Sequence, residues 1–143
     1  LAQSSIGQLL LPHITPRFLV KSSLEENFAQ PERLTEEQVD RYWELLRFPG
    51  NRQASVDRAR TARQPEKWTA IKDLEMPVLL LWGAQDKVIP LSHARAFANA
   101  IPGSTLITYA DAGHLPMEET PEQVARDIDK WVQKVAVEIT TPN

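Results

Sequence analysis

The sequence predicts an α/β fold in which a helical first half is followed by a β-α-β-α second half with two parallel strands. Two short apolar runs, at residues 78–82 and 104–109, each end in a turn. A helical pattern at 92–100 separates the runs, and a longer amphipathic pattern begins after residue 120. Strands that alternate with helices in this way are typical of parallel sheets.

The first half is predicted to consist of helices and turns. A weakly helical segment at 1–11 is ended by prolines, and an apolar pattern at 17–29 stops at a Gln-Pro pair. Thr35 and Gln38 fit a capping box, in which each side chain satisfies the other residue's backbone N–H. A polar, arginine-rich helix is expected at 52–63. The helix before it has an apolar face with the spacing i, i+3, i+4 and i+7, comprising Val39, Tyr42, Trp43 and Leu46.

The second half supplies both predicted strands. The run at 78–82 is continuously apolar, which is typical of a strand covered on both faces. Thr120, Pro121 and Gln123 predict a second capping box with proline at the first helical position. We expect the final helix to fray from residue 138. Its apolar face comprises Val124, Ile128, Trp131, Val132 and Val135.

Two parallel strands are too few to form a stable sheet by themselves. Unpaired strand edges recruit other chains. We therefore expect the sheet to be completed by a missing N-terminal half or by self-association. The first residue is Leu1 rather than Met, from which we expect that the chain has lost residues at its start.

One acidic and one basic side chain follow the two predicted strands. Asp86 lies just after the first strand and His114 just after the second. The carboxyl ends of parallel strands meet at one edge of a sheet, where ligands bind in open α/β folds. The pair is therefore a candidate for proton transfer, and the alternative is two loop residues that share no function.

Two motifs resemble the α/β-hydrolase superfamily. Residues 77–86, with Pro90 beyond them, are similar to its penultimate strand and acid-bearing loop, and residues 113–121 to its histidine loop. The resemblance covers about residues 74–135. The first 63 residues resemble, more weakly, the helical cap of the epoxide-hydrolase and C–C-hydrolase-like branches. The resemblance to this superfamily implies a cap-like region at 1–70 and the C-terminal part of a hydrolase core at 71–143.

The resemblance implies cofactor-free hydrolysis of an ester, epoxide or related bond in a small molecule. His114 would act as general base toward a nucleophile and water, and Asp86 would fix its tautomer. No residue has the frame of a nucleophile elbow, which places small residues two before and two after the nucleophile. We therefore expect the chain alone to be inactive. The rival interpretation is a non-catalytic, self-associating module derived from half of this fold.

Other residues are weaker candidates for substrate binding or catalysis. Tyr42 and Trp43 would line a substrate pocket if the first half is a cap, although a helical aromatic stripe is more often core. His13 and His93 are interpreted as surface residues. Asp111 could compete with Asp86 for His114, but it is expected to shape its own turn.

The composition disfavours several other classes of function. The chain has 16 basic and 19 acidic residues, so nothing favours nucleic acid or an anionic membrane as a partner. It has no cysteine, which excludes a thiol nucleophile and suits a reducing compartment, and we predict a cytoplasmic location. Its three histidines lack metal-ligand spacing, so we expect no metal and no other cofactor. No apolar run is long enough to span a bilayer, and no signal-peptide pattern is visible.

Overall fold

The computed structural model describes residues 15–61 and 65–140 of the 143-residue chain. These residues fall into two compact units. The first contains residues 15–26, 31–61 and Pro65, and the second contains residues 27–30 and 66–140. The predicted helix at 1–11 and His13 lie outside the described residues. The boundary at residue 70 and the cap-like role of the region before it stay predictions.

The first unit is helical. Its predicted capping box is confirmed, because the Thr35 hydroxyl accepts the N–H of Gln38 at 3.2 Å and the Gln38 side chain accepts the N–H of Thr35 at 2.9 Å. The buried residues on its helices are Leu24, Val39 and Val56. Gly50 (φ +89°) allows the tight turn between the last two helices. The helices are α1 (Arg17–Asn27, whose last residue belongs to the second unit), a 3₁₀ turn (Pro31–Arg33), α2 (Glu36–Arg47) and α3 (Asn51–Arg60).

The second unit has the predicted β-α-β-α order. A 3₁₀ segment (Pro65–Asp73) leads into β1 (Leu79–Gly83), α4 (Leu91–Ala100), β2 (Thr105–Tyr109), a short α5 (Pro116–Glu119) and α6 (Pro121–Thr140). The two strands are parallel, with Leu79 opposite Thr105 and Gly83 opposite Tyr109. The predicted α/β class with two parallel strands is confirmed. A small core contains Tyr109, Ala112 and Val124, with Leu81 and Ile107 packed against it.

Two local predictions are wrong: the capping box at Thr120 and the fraying from residue 138. The Thr120 hydroxyl does not cap the next helix, because it donates to the Pro116 carbonyl at 3.1 Å, and the N–H of Gln123 bonds to the backbone carbonyl of Thr120. The unforeseen helix α5 explains this change, since Thr120 is its C-terminal cap. Helix α6 continues to Thr140, so residues 138–140 are helical rather than frayed, and the rest of the predicted frayed tail, 141–143, lies outside the described residues.

The sheet is narrow in the described part of the chain. It has two strands, and each pairs along one edge only. Residues 79–82 of β1 are half-buried, whereas the sequence predicted cover on both faces. No helix within residues 15–61 and 65–140 is long and apolar enough to cross a membrane.

Candidate active site

The loops that follow β1 and β2 are bonded to each other. The N–H of Ala84 donates to the Tyr109 carbonyl at 2.8 Å, and the N–H of Gln85 donates to the Ala112 carbonyl at 3.0 Å. The Gln85 side chain adds a bond to the Ala110 carbonyl at 2.9 Å. These bonds continue the pairing of the strands past their carboxyl ends, so the side chains beyond them are held at one edge of the sheet.

Gly83 permits this close approach. A Cβ atom at this position would lie 1.9 Å from the Gly113 carbonyl oxygen and 2.4 Å from that of Ala112. Both neighbours are backbone atoms, which cannot rotate away as a side chain can. Only glycine therefore fits at the end of β1 while the second loop lies in its present position.

The Asp86 carboxylate is held by three hydrogen bonds. Its Oδ1 accepts the N–H groups of Val88 and Ile89, each at 2.8 Å, and its Oδ2 lies 2.9 Å from Nδ1 of His114. The side chain is only 5% exposed. Burial by itself would raise the pKa of Asp86, but the bonds from His114, Ile89 and Val88 outweigh it and hold the pKa below its usual value. The carboxylate is therefore ionised at neutral pH.

His114 presents its second ring nitrogen for chemistry. Because Nδ1 faces an ionised carboxylate, the proton of the neutral ring is placed on Nδ1, and Nε2 keeps its lone pair. The His114 side chain is 31% exposed, so part of the ring is accessible. A ring in this state can accept a proton at Nε2 while the carboxylate stabilises the cation that forms.

The backbone of His114 is anchored to a distant segment of the same unit. Its N–H donates to the Asn27 carbonyl at 2.8 Å. A Cβ atom on Gly113 would lie 2.5 Å from that carbonyl oxygen and 2.7 Å from the backbone nitrogen of Ala29. No sequence pattern points to this anchor, because residues 27–29 have the pattern of a helix end.

The structure brings together Asp86 and His114, as predicted, while the other candidates lie elsewhere. Asp111 and His93 are both exposed, and Asp86 is the carboxylate that pairs with His114. Trp43 donates its indole N–H to the Thr15 carbonyl at 2.8 Å within the first unit, and the guanidinium of Arg47 stacks over its ring.

Tyr42 lies on a surface groove of the first unit. The groove has a volume of about 450 Å³, and Leu45, Leu46, Ala54 and Arg58 are among the residues that line it. The substrate-binding role of Tyr42 and Trp43 stays a prediction.

The model of the alpha/beta hydrolase family matches residues 2–127, so the chain belongs to this family. It is similar to the uncharacterized hydrolase YugF of Bacillus subtilis, with 23% identity over 133 residues that cover 93% of this chain and 44% of YugF. A thermophilic esterase from Thermogutta terrifontis is similar in structure, with a TM-score of 0.64, 25% identity, and coverage of 90% of this chain and 47% of the esterase.

A third similar protein is a meta-cleavage product hydrolase from Pseudomonas fluorescens IP01. The TM-score is 0.67 at 18% identity, with coverage of 90% of this chain and 49% of the hydrolase. At that identity the likeness shows the fold alone. The chain spans less than half the length of each of these three proteins. The family resemblance that the two sequence motifs predicted is confirmed.

Proposed function

We propose that the chain contributes the acid and base of a nucleophile–His–Asp triad in a cofactor-free hydrolase. The bond cleaved would be an ester, an epoxide or a related bond of a small molecule. The observation that carries the proposal is the 2.9 Å contact between Asp86 Oδ2 and His114 Nδ1 at the carboxyl edge of the sheet. It leaves Nε2 of His114 as the proton acceptor.

With a serine nucleophile and an ester, the steps are as follows. Nε2 of His114 takes the serine proton as the serine oxygen bonds to the carbonyl carbon, and Asp86 stabilises the imidazolium. The same proton then passes to the leaving alkoxide. Water attacks the acyl intermediate, gives its proton to Nε2, and releases the carboxylic acid, while the serine recovers its proton.

The nucleophile and the oxyanion donors would come from a separate N-terminal half. Electrostatic stabilisation of the oxyanion is usually the largest catalytic effect. We therefore expect the purified chain to hydrolyse p-nitrophenyl esters no faster than its His114→Ala variant. This result is expected even though the Asp86–His114 pair is already formed.

Reconstitution tests the proposal. The chain is combined with a separate polypeptide that would supply the nucleophile, such as the part of YugF that it does not match, and ester hydrolysis is measured. Hydrolysis should appear, and His114→Ala should abolish it. His93→Ala is the matched control, because His93 is an exposed histidine on α4. A folded complex without hydrolysis, or full activity in His114→Ala, would reject the proposal.

The second candidate function is a non-catalytic module that completes its sheet by self-association. Two observations favour it: each described strand pairs along one edge only, and several apolar side chains of α6 are exposed. The exposed residues are Ile128, Val132 and Val137. Unpaired edges and exposed apolar faces promote association between copies. Light scattering at micromolar concentration should then give a dimer or larger species, and a folded monomer would refute this candidate.

A further inference from the structure

Glu119 carries a buried carboxylate that the proposed mechanism does not use. It is the last residue of α5 and is 6% exposed. A buried carboxylate is costly unless its oxygens are hydrogen-bonded. The partners of those two oxygens therefore indicate what the residue does.

Both partners of Glu119 are backbone N–H groups next to His114 or next to its anchor. Oε1 accepts the N–H of Gly113 at 2.7 Å, and Oε2 accepts the N–H of Ala29 at 2.7 Å. Gly113 directly precedes His114, and the segment that contains Ala29 also accepts the His114 N–H through Asn27. Charge-assisted bonds of this length are among the stronger hydrogen bonds in proteins.

These contacts fix the peptide that carries His114 from two directions. One carboxylate bridges the histidine loop and residues 27–29, and the His114 N–H forms a second bond between the same two segments. Without the bridge, the Asn27 carbonyl bond and the close packing of Gly113 would remain, but the N–H of Gly113 would lose its acceptor. The peptide that precedes His114 could then turn, so the ring of His114 would lose its fixed direction toward Asp86.

We propose that Glu119 is a positioning residue for His114, which holds Nδ1 against Asp86 and leaves Nε2 free to accept a proton. The catalytic consequence rests on the proposed function, but the positioning can be measured without any activity. The simpler alternative is that Glu119 only ties residues 27–29 to the fold, without effect on the imidazole.

Nuclear magnetic resonance of the full chain separates these alternatives. Glu119→Gln keeps the side-chain shape but offers a single acceptor oxygen for two N–H groups. The control is Glu122→Gln, because the Glu122 side chain lies three residues further on and is 90% exposed. Imidazole ¹⁵N shifts report the tautomer of His114, which is assigned by loss of its signals in His114→Gln.

In the unchanged chain and in Glu122→Gln, we expect the Nδ1–H tautomer to dominate at His114. In Glu119→Gln, we expect a mixture of tautomers and exchange of the Gly113 amide proton at least about tenfold faster, since an opened hydrogen bond exposes the amide. Glu119→Asp keeps the charge and shortens the reach, and it should give an intermediate tautomer ratio. A folded Glu119→Gln chain with an unchanged tautomer and unchanged exchange would overturn the proposal.

If Glu119→Gln does not fold, Glu119→Asp decides by the same two measurements. If neither folds, Glu119 is a folding residue and the proposal is overturned. In the reconstituted hydrolase, Glu119→Gln should lower kcat by roughly 10- to 100-fold with little change in KM, because misplacement of a catalytic group affects the chemical step.

The two proposals fail in different ways. A changed tautomer without any hydrolysis by the reconstituted protein leaves the positioning role intact and rejects the proposed function. Hydrolysis together with an unchanged tautomer in Glu119→Gln supports the proposed function and rejects the positioning role.

Discussion

The charged side chains of the two units differ in their surroundings. In the first unit, Arg17 bonds to Glu36 at 2.6 Å and to Asp40 at 2.5 Å, on the exposed surface of its helices. In the second unit, the carboxylates of Asp86 and Glu119 are shielded from solvent, and each accepts two backbone N–H groups. Exposed pairs are screened by water and contribute little to stability. Buried carboxylates must keep every partner, so they fix the backbone around them.

The two units also differ in what sets the pKa of their carboxylates. The pKa of Glu36 lies below its usual value because Lys21 and Arg17 donate hydrogen bonds to it at the surface. The pKa of Asp86 is also lowered, but there the hydrogen bonds must first outweigh burial, which acts in the opposite direction. A lowered pKa therefore has different consequences in the two places. Four substitutions or conditions test how the packed site of the second unit differs from the exposed surface of the first, from the largest expected effect to the smallest.

The largest effect is expected for Asp86→Asn. The asparagine amide can still accept the N–H groups of Val88 and Ile89, but its NH₂ group would face Nδ1 of His114 and favour the wrong tautomer. In the reconstituted hydrolase, kcat should fall by about 10⁴-fold, as expected for loss of the triad carboxylate. Asp111→Asn, an exposed aspartate after β2, is the control and should leave kcat unchanged. Equal kcat values for the two variants would contradict a role of Asp86 in orienting His114.

Gly83→Ala is expected to have the next largest effect. Its Cβ would collide with the carbonyl oxygens of Gly113 and Ala112, so the two loops must separate. We expect a loss of about 3 kcal/mol in the free energy of unfolding, measured by urea titration. Gly103→Ala is the control: its φ is +71° and no atom lies near the new Cβ. It should cost only about 1 kcal/mol, from the left-handed backbone. A smaller loss for Gly83→Ala than for the control would show that the loops tolerate separation.

Acid should reduce the stability of the chain partly through Asp86. Its folded pKa is lowered, so its contribution is present above the unfolded pKa of about 3.9 and is lost as the pH falls through the folded pKa. Asp86→Asn should remove this part of the acid dependence, measured as the free energy of unfolding between about pH 5 and pH 2. Because the group is buried, the difference should persist at about 1 M salt. Superimposable profiles for the two proteins would be inconsistent with the lowered pKa.

The smallest effect is expected for Arg17→Ala. The substitution removes both ion pairs of that guanidinium at the surface of the first unit. The decrease in Tm should be the smallest of the set, and it should disappear at high salt, because screening already weakens exposed pairs. Gln53→Ala, at another exposed helical position, is the reference for the loss of a polar side chain. A large, salt-independent decrease in Tm would show that these ion pairs contribute as much to stability as the buried carboxylates do.

Short-range patterns explain the predictions that succeeded. The capping box of Thr35 and Gln38 depends on residues three apart, and the strands follow from two short apolar runs. The Asp86–His114 pair could be predicted because parallel strands bring the loops that follow them to one edge. The prediction of a second capping box failed because Pro116 begins a short helix, and the Thr120 hydroxyl already donates to the Pro116 carbonyl.

The sequence by itself determined the α/β order, the two parallel strands and the Asp–His pair, since each is encoded in local periodicity and turn position. Only the tertiary structure decided which backbone groups hold that pair. Ala29 and Glu119 lie 90 residues apart, and neither shows a pattern that points to the other. Their contact lies where Gly113 packs closely against residues 27–29, and packing between distant segments leaves no periodic signal along the chain.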